Sequence, residues 1–291
     1  MPVKHNKNIG ILYMVASAFC FAVMGAFVRL AGDLPSVQKS FFRNFVAMLF
    51  AAVLLLKAKY KPQLSKGAWG TLLLRSIFGT LGILCNFYAV DHLLLADASI
   101  LNKISPFFAI LCSFFLLHEK IPLQKILLVC GAFVGALFVV KPGLNGAETL
   151  PALLGLLGGF AAGLAYTFVR KLGTMGVKGP FIVFFFSAFS CLSVLPFVLL
   201  HYHPMTKLQL LYLLLAGLAA SGGQFSITAA YTHAPARDIS IYDYTQILFS
   251  SALGFFLFGQ VPDVLSFIGY GVILLMALLM FLQNRKESFH A

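Results

Sequence analysis

Along this chain, long unbroken runs of Leu, Phe, Ala, Val and Ile alternate with short clusters of charge, proline and glycine. The runs lack the strict alternation of strands, so the pattern predicts helices. In lipid only helices and closed barrels satisfy every backbone polar group, and barrel strands would show a dyad repeat. Taking ~20 apolar residues as the length that crosses the hydrocarbon core, ten spans are predicted. They lie at approximately 9–31, 38–56, 68–90, 96–117, 123–140, 151–170, 180–200, 208–231, 239–258 and 262–283. The first run is too long for a cleavable signal peptide and is taken as the first membrane helix. The expected fold is an all-α polytopic membrane protein with ten transmembrane helices and loops too short to hold a soluble domain.

The boundaries have local causes. Pro35, Pro62, Pro122, Pro142, Pro180, Pro204 and Pro262 fall in connectors or first turns, where a missing N–H costs little. Pro106 and Pro196 fall inside spans, where kinks are predicted. Gly155, Gly159 and Gly163 recur every four residues on one helix face, and Gly131 and Gly135 do the same, as expected where helices approach closely in lipid.

The pattern also repeats. YAVDHLLLADASI contains His92, Asp97 and Ser99; AAYTHAPARDISI contains His233, Asp238 and Ser240 at the same spacing. Each copy runs into an apolar helix that closes on a turn and a proline, LLHEKIP at Pro122 and LFGQVP at Pro262, with a one-residue slip in register. FVRLAG and FVRKLG place Arg29 and Arg170 at the ends of equivalent opening helices. Two repeats are expected, residues 1–145 and 146–291, each with five helices. An odd number of spans forces the second copy to enter the membrane in the opposite direction, giving inverted repeats with a shared site near the midplane.

Composition sharpens this picture. The 291 residues are 60% hydrophobic and 10% charged, against about 25% charged in a soluble domain. The net charge of +12 invites a nucleic-acid reading, but its placement argues otherwise. With the N-terminus in the cytoplasm, the cytoplasmic segments hold Lys57, Lys59, Lys61, Lys66, Arg170, Lys171, Lys178, Arg285 and Lys286 among others, and the outer side only Arg29, Lys39, Lys141 and Lys207. That bias puts both termini inside and accounts for the charge without a polyanionic partner. Cys20, Cys85, Cys112, Cys130 and Cys191 all sit in apolar runs without metal-ligand spacing and are expected to be free buried thiols.

Several pieces, taken in order, resemble the ten-helix EamA branch of the drug/metabolite transporter superfamily. They are Arg75, LADA at 95–98, Pro106, LHE at 117–119, GAFVGALFVVKPG ending at Gly143, AYTHAPA from Ala230, YDYTQ from Tyr242 and FGQVPD ending at Asp263. The resemblance implies a bacterial inner-membrane secondary transporter, often an exporter, for amino acids or other small metabolites. It names no single substrate, because members differ widely. Gln260 stands where the family often carries a glutamate.

Ionisable residues deep in a span need a reason to be there. Lys103 in the fourth span and Asp243 in the ninth occupy equivalent repeat positions, so an inverted repeat can bring them together near its axis. They are expected to line the cavity, with Lys103 meeting a substrate carboxylate or phosphate and Asp243 an amine or the coupling proton, to pair only structurally, or to snorkel to the interface. Asn102, Tyr242, Tyr244 and Gln246 cluster near them in sequence, and with Asn86 and Tyr166 they complete the expected substrate site. Arg43 and Arg75 lie nearer span ends and are expected to snorkel to the interface. Phe19, Phe21, Tyr88 and Phe160 offer stacking faces, although packing is the default role in a chain with 31 phenylalanines.

Other classes fare worse. The His–x4–Asp spacing resembles an acyltransferase signature, but two copies on opposite faces follow from repeat ancestry rather than catalysis. There is no HExxH, no GxSxG and no Walker A loop, and no ring of charge or filter loop for a channel. The chain reads as a carrier without cofactor or metal, driven by a proton gradient or by counter-substrate. Export of an amino-acid-like metabolite is the first expectation, and uptake of a cofactor-like one such as S-adenosylmethionine or riboflavin the second.

Overall fold

The computed structural model describes residues 7–60, 62, 64–105, 107–108, 112, 122–140, 146–233 and 240–287. Pro106, the turn at 117–119, Gly143 and Asp238 lie outside the described residues. Ten α-helices are present among the described residues: α1 (Lys7–Leu30), α2 (Ser36–Lys57), α3 (Lys66–His92), α4 (Leu95–Asn102), α5 (Leu123–Val140), α6 (Gly146–Thr174), α7 (Gly179–Leu200), α8 (Lys207–His233), α9 (Thr245–Phe258) and α10 (Val264–Glu287). A 3₁₀ turn, Ser240–Tyr244, precedes α9. Seven of these helices are long and apolar enough to cross a membrane.

Local chemistry sets several ends. The Ser65 hydroxyl accepts from the Ala68 N–H and caps α3. α9 ends on Gly259 at φ +64°, a left-handed backbone that glycine adopts without a β-carbon penalty. α7 continues through Pro196 to Leu200, so that proline does not end the helix.

The fourth span is not the continuous helix expected. α4 stops at Asn102, and Lys103–Ile104 form a turn before helix resumes at Ser105. A proline at 106 has no N–H to give the carbonyl four residues earlier, at position 102, which is where α4 ends. In the second half, the 3₁₀ turn occupies the corresponding place.

Packing shows the inversion directly. α4 and α9 are repeat equivalents and run antiparallel: Leu95 meets Gln260, Ser99 meets Ser250, and Lys103 meets Asp243. α5 and α10, the next equivalents, also run antiparallel: Gly131 faces Met276, Gly135 faces Ile273, and Gln124 bonds Gln283. The cross-pairs obey the same exchange. α1 packs on α8 and α3 on α6, while α2 packs on α7. The largest core cluster crosses the repeat boundary, joining Phe87, Ile100, Leu101 and Ile104 to Tyr244, Ile247 and Ile273.

Small residues make these contacts possible. A β-carbon at Gly159 would lie 2.6 Å from the Leu101 carbonyl oxygen, so α6 and α4 meet backbone to backbone. Leu12, Leu56, Leu199 and Phe256 point outward as a lipid-facing rim. Cys130 is also exposed there, not buried as expected, while Cys85, Cys112 and Cys191 are buried and all five thiols are free.

One end of the bundle is closed by polar contacts. Lys39, fully buried, donates to Asp91 Oδ1 at 2.5 Å, and Ser36 donates to Oδ2 of the same carboxylate at 3.3 Å. Arg29 donates to the Val90 and Leu93 carbonyls, and its guanidinium sits 5.2 Å from the Phe258 ring centroid. Gln38 exchanges two hydrogen bonds with the His203 backbone, and Gln209 donates to the Ala31 carbonyl at 3.0 Å.

Candidate functional site

The broken fourth span and the 3₁₀ start of the ninth deliver their charged residues to one point. Lys103, at the C-terminal cap of α4, donates through Nζ to Asp243 Oδ2 at 2.6 Å. Both side chains are largely removed from solvent, at 8% and 16% exposure. Tyr244 donates its hydroxyl to the Lys103 carbonyl at 3.2 Å, bracing the turn that carries the lysine. Asp243 Oδ1 is buried and unpartnered.

Lys103 of this pair lines a cavity of about 110 Å³. Of the site residues expected from sequence, Lys103, Asn102, Asn86, Tyr166 and Gln246 reach its wall. Tyr166 is 46% exposed and lines the cavity. Asp243 stands behind Lys103, and Tyr242 packs instead against Met14 and Ala230. Among the stacking candidates, Phe21 lines the cavity. Phe19 meets Phe249 edge-on, Phe160 meets Phe108, and Tyr88 stacks on His92.

The two arginines depart from the sequence expectation. Arg43 and Arg75 do not snorkel: both are buried, at 7% and 6% exposure, and both line the cavity. Arg43 donates through Nη1 to Asn44 Oδ1 at 2.6 Å, and Asn44 in turn donates to Ser190 at 2.8 Å. The Arg75 guanidinium lies 3.7 Å from the Phe186 ring centroid. A helical face was the missed signal, since Arg75, Gly79, Gly82 and Asn86 follow a four-three-four spacing on α3 and all line the cavity.

The first His–Asp–Ser copy is part of the scaffold. His92 Nδ1 lies 2.8 Å from the Tyr88 carbonyl of its own helix. Asp97 accepts from the Tyr270 hydroxyl at 2.6 Å, and Ser99 donates to Ser250 at 2.7 Å, tying α4 to α10 and α9. Gln260 also has a place: its Oε1 accepts from the Leu95 N–H at 3.0 Å and satisfies an open donor at the start of α4.

Inverted repeats of membrane helices around a buried charged cavity define an integral membrane protein of the transporter class. Comparison with known proteins agrees. The chain belongs to the EamA-like transporter family, whose model matches it twice, at residues 8–141 and 149–282, within the drug/metabolite transporter superfamily. It is 34% identical over 279 residues to the pseudopaline exporter CntI of Pseudomonas aeruginosa, covering 95% of this chain and 97% of that one. It is 25% identical to a riboflavin transporter of Vibrio cholerae, over 94% and 93% of the two chains. A crystal structure 14% identical in sequence shares the fold with a TM-score of 0.66, over 97% of this chain and 99% of that one. Both of these relatives are named as transport proteins.

Proposed function

We propose that this protein is a secondary carrier that exports a small, amino-acid-like organic metabolite across the bacterial inner membrane by alternating access. The observation that carries the reading is the cavity between two antiparallel repeats, bordered by the Lys103–Asp243 pair. Discontinuous helices at such a site are how inverted-repeat carriers expose polar groups at membrane depth. Residues 1–145 and 146–291 are the two bodies that rock against each other. The polar contacts around Lys39, Asp91 and Arg29 close the end that the charge bias assigns to the periplasm, with both termini cytoplasmic. Export is supported by the exporter named among its relatives. The unpartnered Asp243 oxygen is the group that takes the coupling proton or a substrate amine, and counter-substrate exchange is the other means of driving transport.

A second reading, uptake or exchange of a cofactor-like metabolite, draws on the aromatic part of the cavity wall, Phe21, Phe87 and Phe186, and on the relative named for riboflavin.

Alternating access is tested without knowing the substrate. In a chain with all five cysteines replaced, Asn102→Cys is treated with a membrane-impermeant maleimide from each face in turn. The carrier reading expects labelling from both faces. Labelling from one face alone, under every condition, is incompatible with it.

A further inference from the structure

Among the described residues, the cavity holds more positive charge than is neutralised. Three cations reach it: Lys103, Arg43 and Arg75. Lys103 is answered by Asp243. Neither arginine has a carboxylate within salt-bridge distance among the described residues. Among the described residues Arg43 bonds a neutral amide through Nη1, and its Nε is buried without a hydrogen-bond partner. Arg75 Nε and Nη1 are likewise buried and unpartnered. Both side chains are more than nine-tenths buried.

A guanidinium keeps its charge at any pH a cell meets, so burial does not discharge it. Leaving its donors empty is costly, and two in one cavity add mutual repulsion. The planar fork of N–H donors matches a carboxylate or phosphate. Gly79 makes this arrangement possible: a β-carbon there would lie 2.2 Å from Arg75 Nη1 and 2.8 Å from the Phe186 ring. The missing side chain leaves the space in which Arg75 folds back onto Phe186 at the cavity wall.

We infer that the transported metabolite is an oligoanion, carrying at least two carboxylate or phosphate groups, which occupy the free donors of Arg43 and Arg75. This deepens the carrier reading and rests on it. An anionic substrate supplies the two negative charges that the described residues withhold, which brings the loaded cavity closer to neutral than the empty one.

The test separates the two claims. A bacterial metabolite extract is divided on an anion-exchange resin into an unbound fraction, a weakly retained monoanion fraction and a strongly retained oligoanion fraction. Each is offered to proteoliposomes holding the full-length protein, and the compounds that enter are read by mass spectrometry. The expected result is saturable entry from the oligoanion fraction only. Phosphatase treatment of that fraction then distinguishes phosphates, which disappear, from carboxylates, which persist. Arg43→Gln and Arg75→Gln are expected to lower entry at sub-saturating concentration by about tenfold or more, with Arg43→Lys and Arg75→Lys losing less. Gly79→Ala keeps the charge but displaces it, and should raise the half-saturation concentration. The fraction result uses wild-type protein alone, so it stands even where a variant fails to fold. Entry from the unbound or monoanion fractions alone overturns the inference and leaves the carrier intact. No entry from any fraction brings down both.

Discussion

At the residue scale, the account turns on four side chains at the cavity. Lys103 and Asp243 are a buried pair at 2.6 Å, and removing one partner strands the other. Lys103→Met or Asp243→Asn alone should cost about 3–5 kcal/mol of stability, read as a lower melting temperature in detergent. The double variant Lys103→Met/Asp243→Leu should recover most of that stability while transport stays lost. Recovery of transport along with stability would make the pair a fastener and nothing more. This pair was legible in sequence because the repeat put both residues at equivalent places. Arg43 and Arg75 were not, because distance from a span end says nothing about which way a side chain faces. Their direction is written in helical spacing, which joins Arg75 to Gly79, Gly82 and Asn86. Gln260 was equally opaque: its task is to cap a helix from the other repeat, at Leu95.

At the scale of the elements, close backbone approach and a polar closure carry most of the argument. Gly159 abuts the Leu101 carbonyl, at the end of the short helix that presents Lys103. Gly159→Val should destabilise the protein by about 1–3 kcal/mol and reduce transport, whereas the same change at Gly173, with open space around it, should leave both unaltered. The Lys39–Asp91 pair has no equivalent role in the repeat pattern, and sequence alone showed only a lysine near a loop. Asp91→Asn should loosen that end, seen as faster maleimide labelling of a cysteine at Ser40 in the cysteine-free chain. Unchanged labelling would mean that the apolar contacts hold the closure without the ion pair. The break in the fourth span was hidden for a different reason. Hydropathy registers an apolar run whether or not its hydrogen bonds continue, and only Pro106 hinted at the stop after Asn102.

At the scale of the whole molecule, an all-helical fold with seven helices long and apolar enough to cross a membrane, matched twice by one family model, was legible in apolar run length and in the internal repeat. The antiparallel contacts of α4 with α9 and of α5 with α10 give the inversion of that repeat its physical form. What the repeats enclose needed the third dimension, since the net charge of a cavity depends on which faces of eight helices meet. The central claim is that this enclosed cavity serves a carrier. Isotope counterflow tests it most directly. Proteoliposomes loaded with unlabelled bacterial metabolite extract are placed in the same extract bearing a carbon isotope label, and internal label is followed with time. The account predicts that at least one labelled metabolite transiently overshoots its equilibrium level, and that the overshoot vanishes when the internal extract is omitted. A flux that rises linearly with concentration and ignores what lies inside would contradict it.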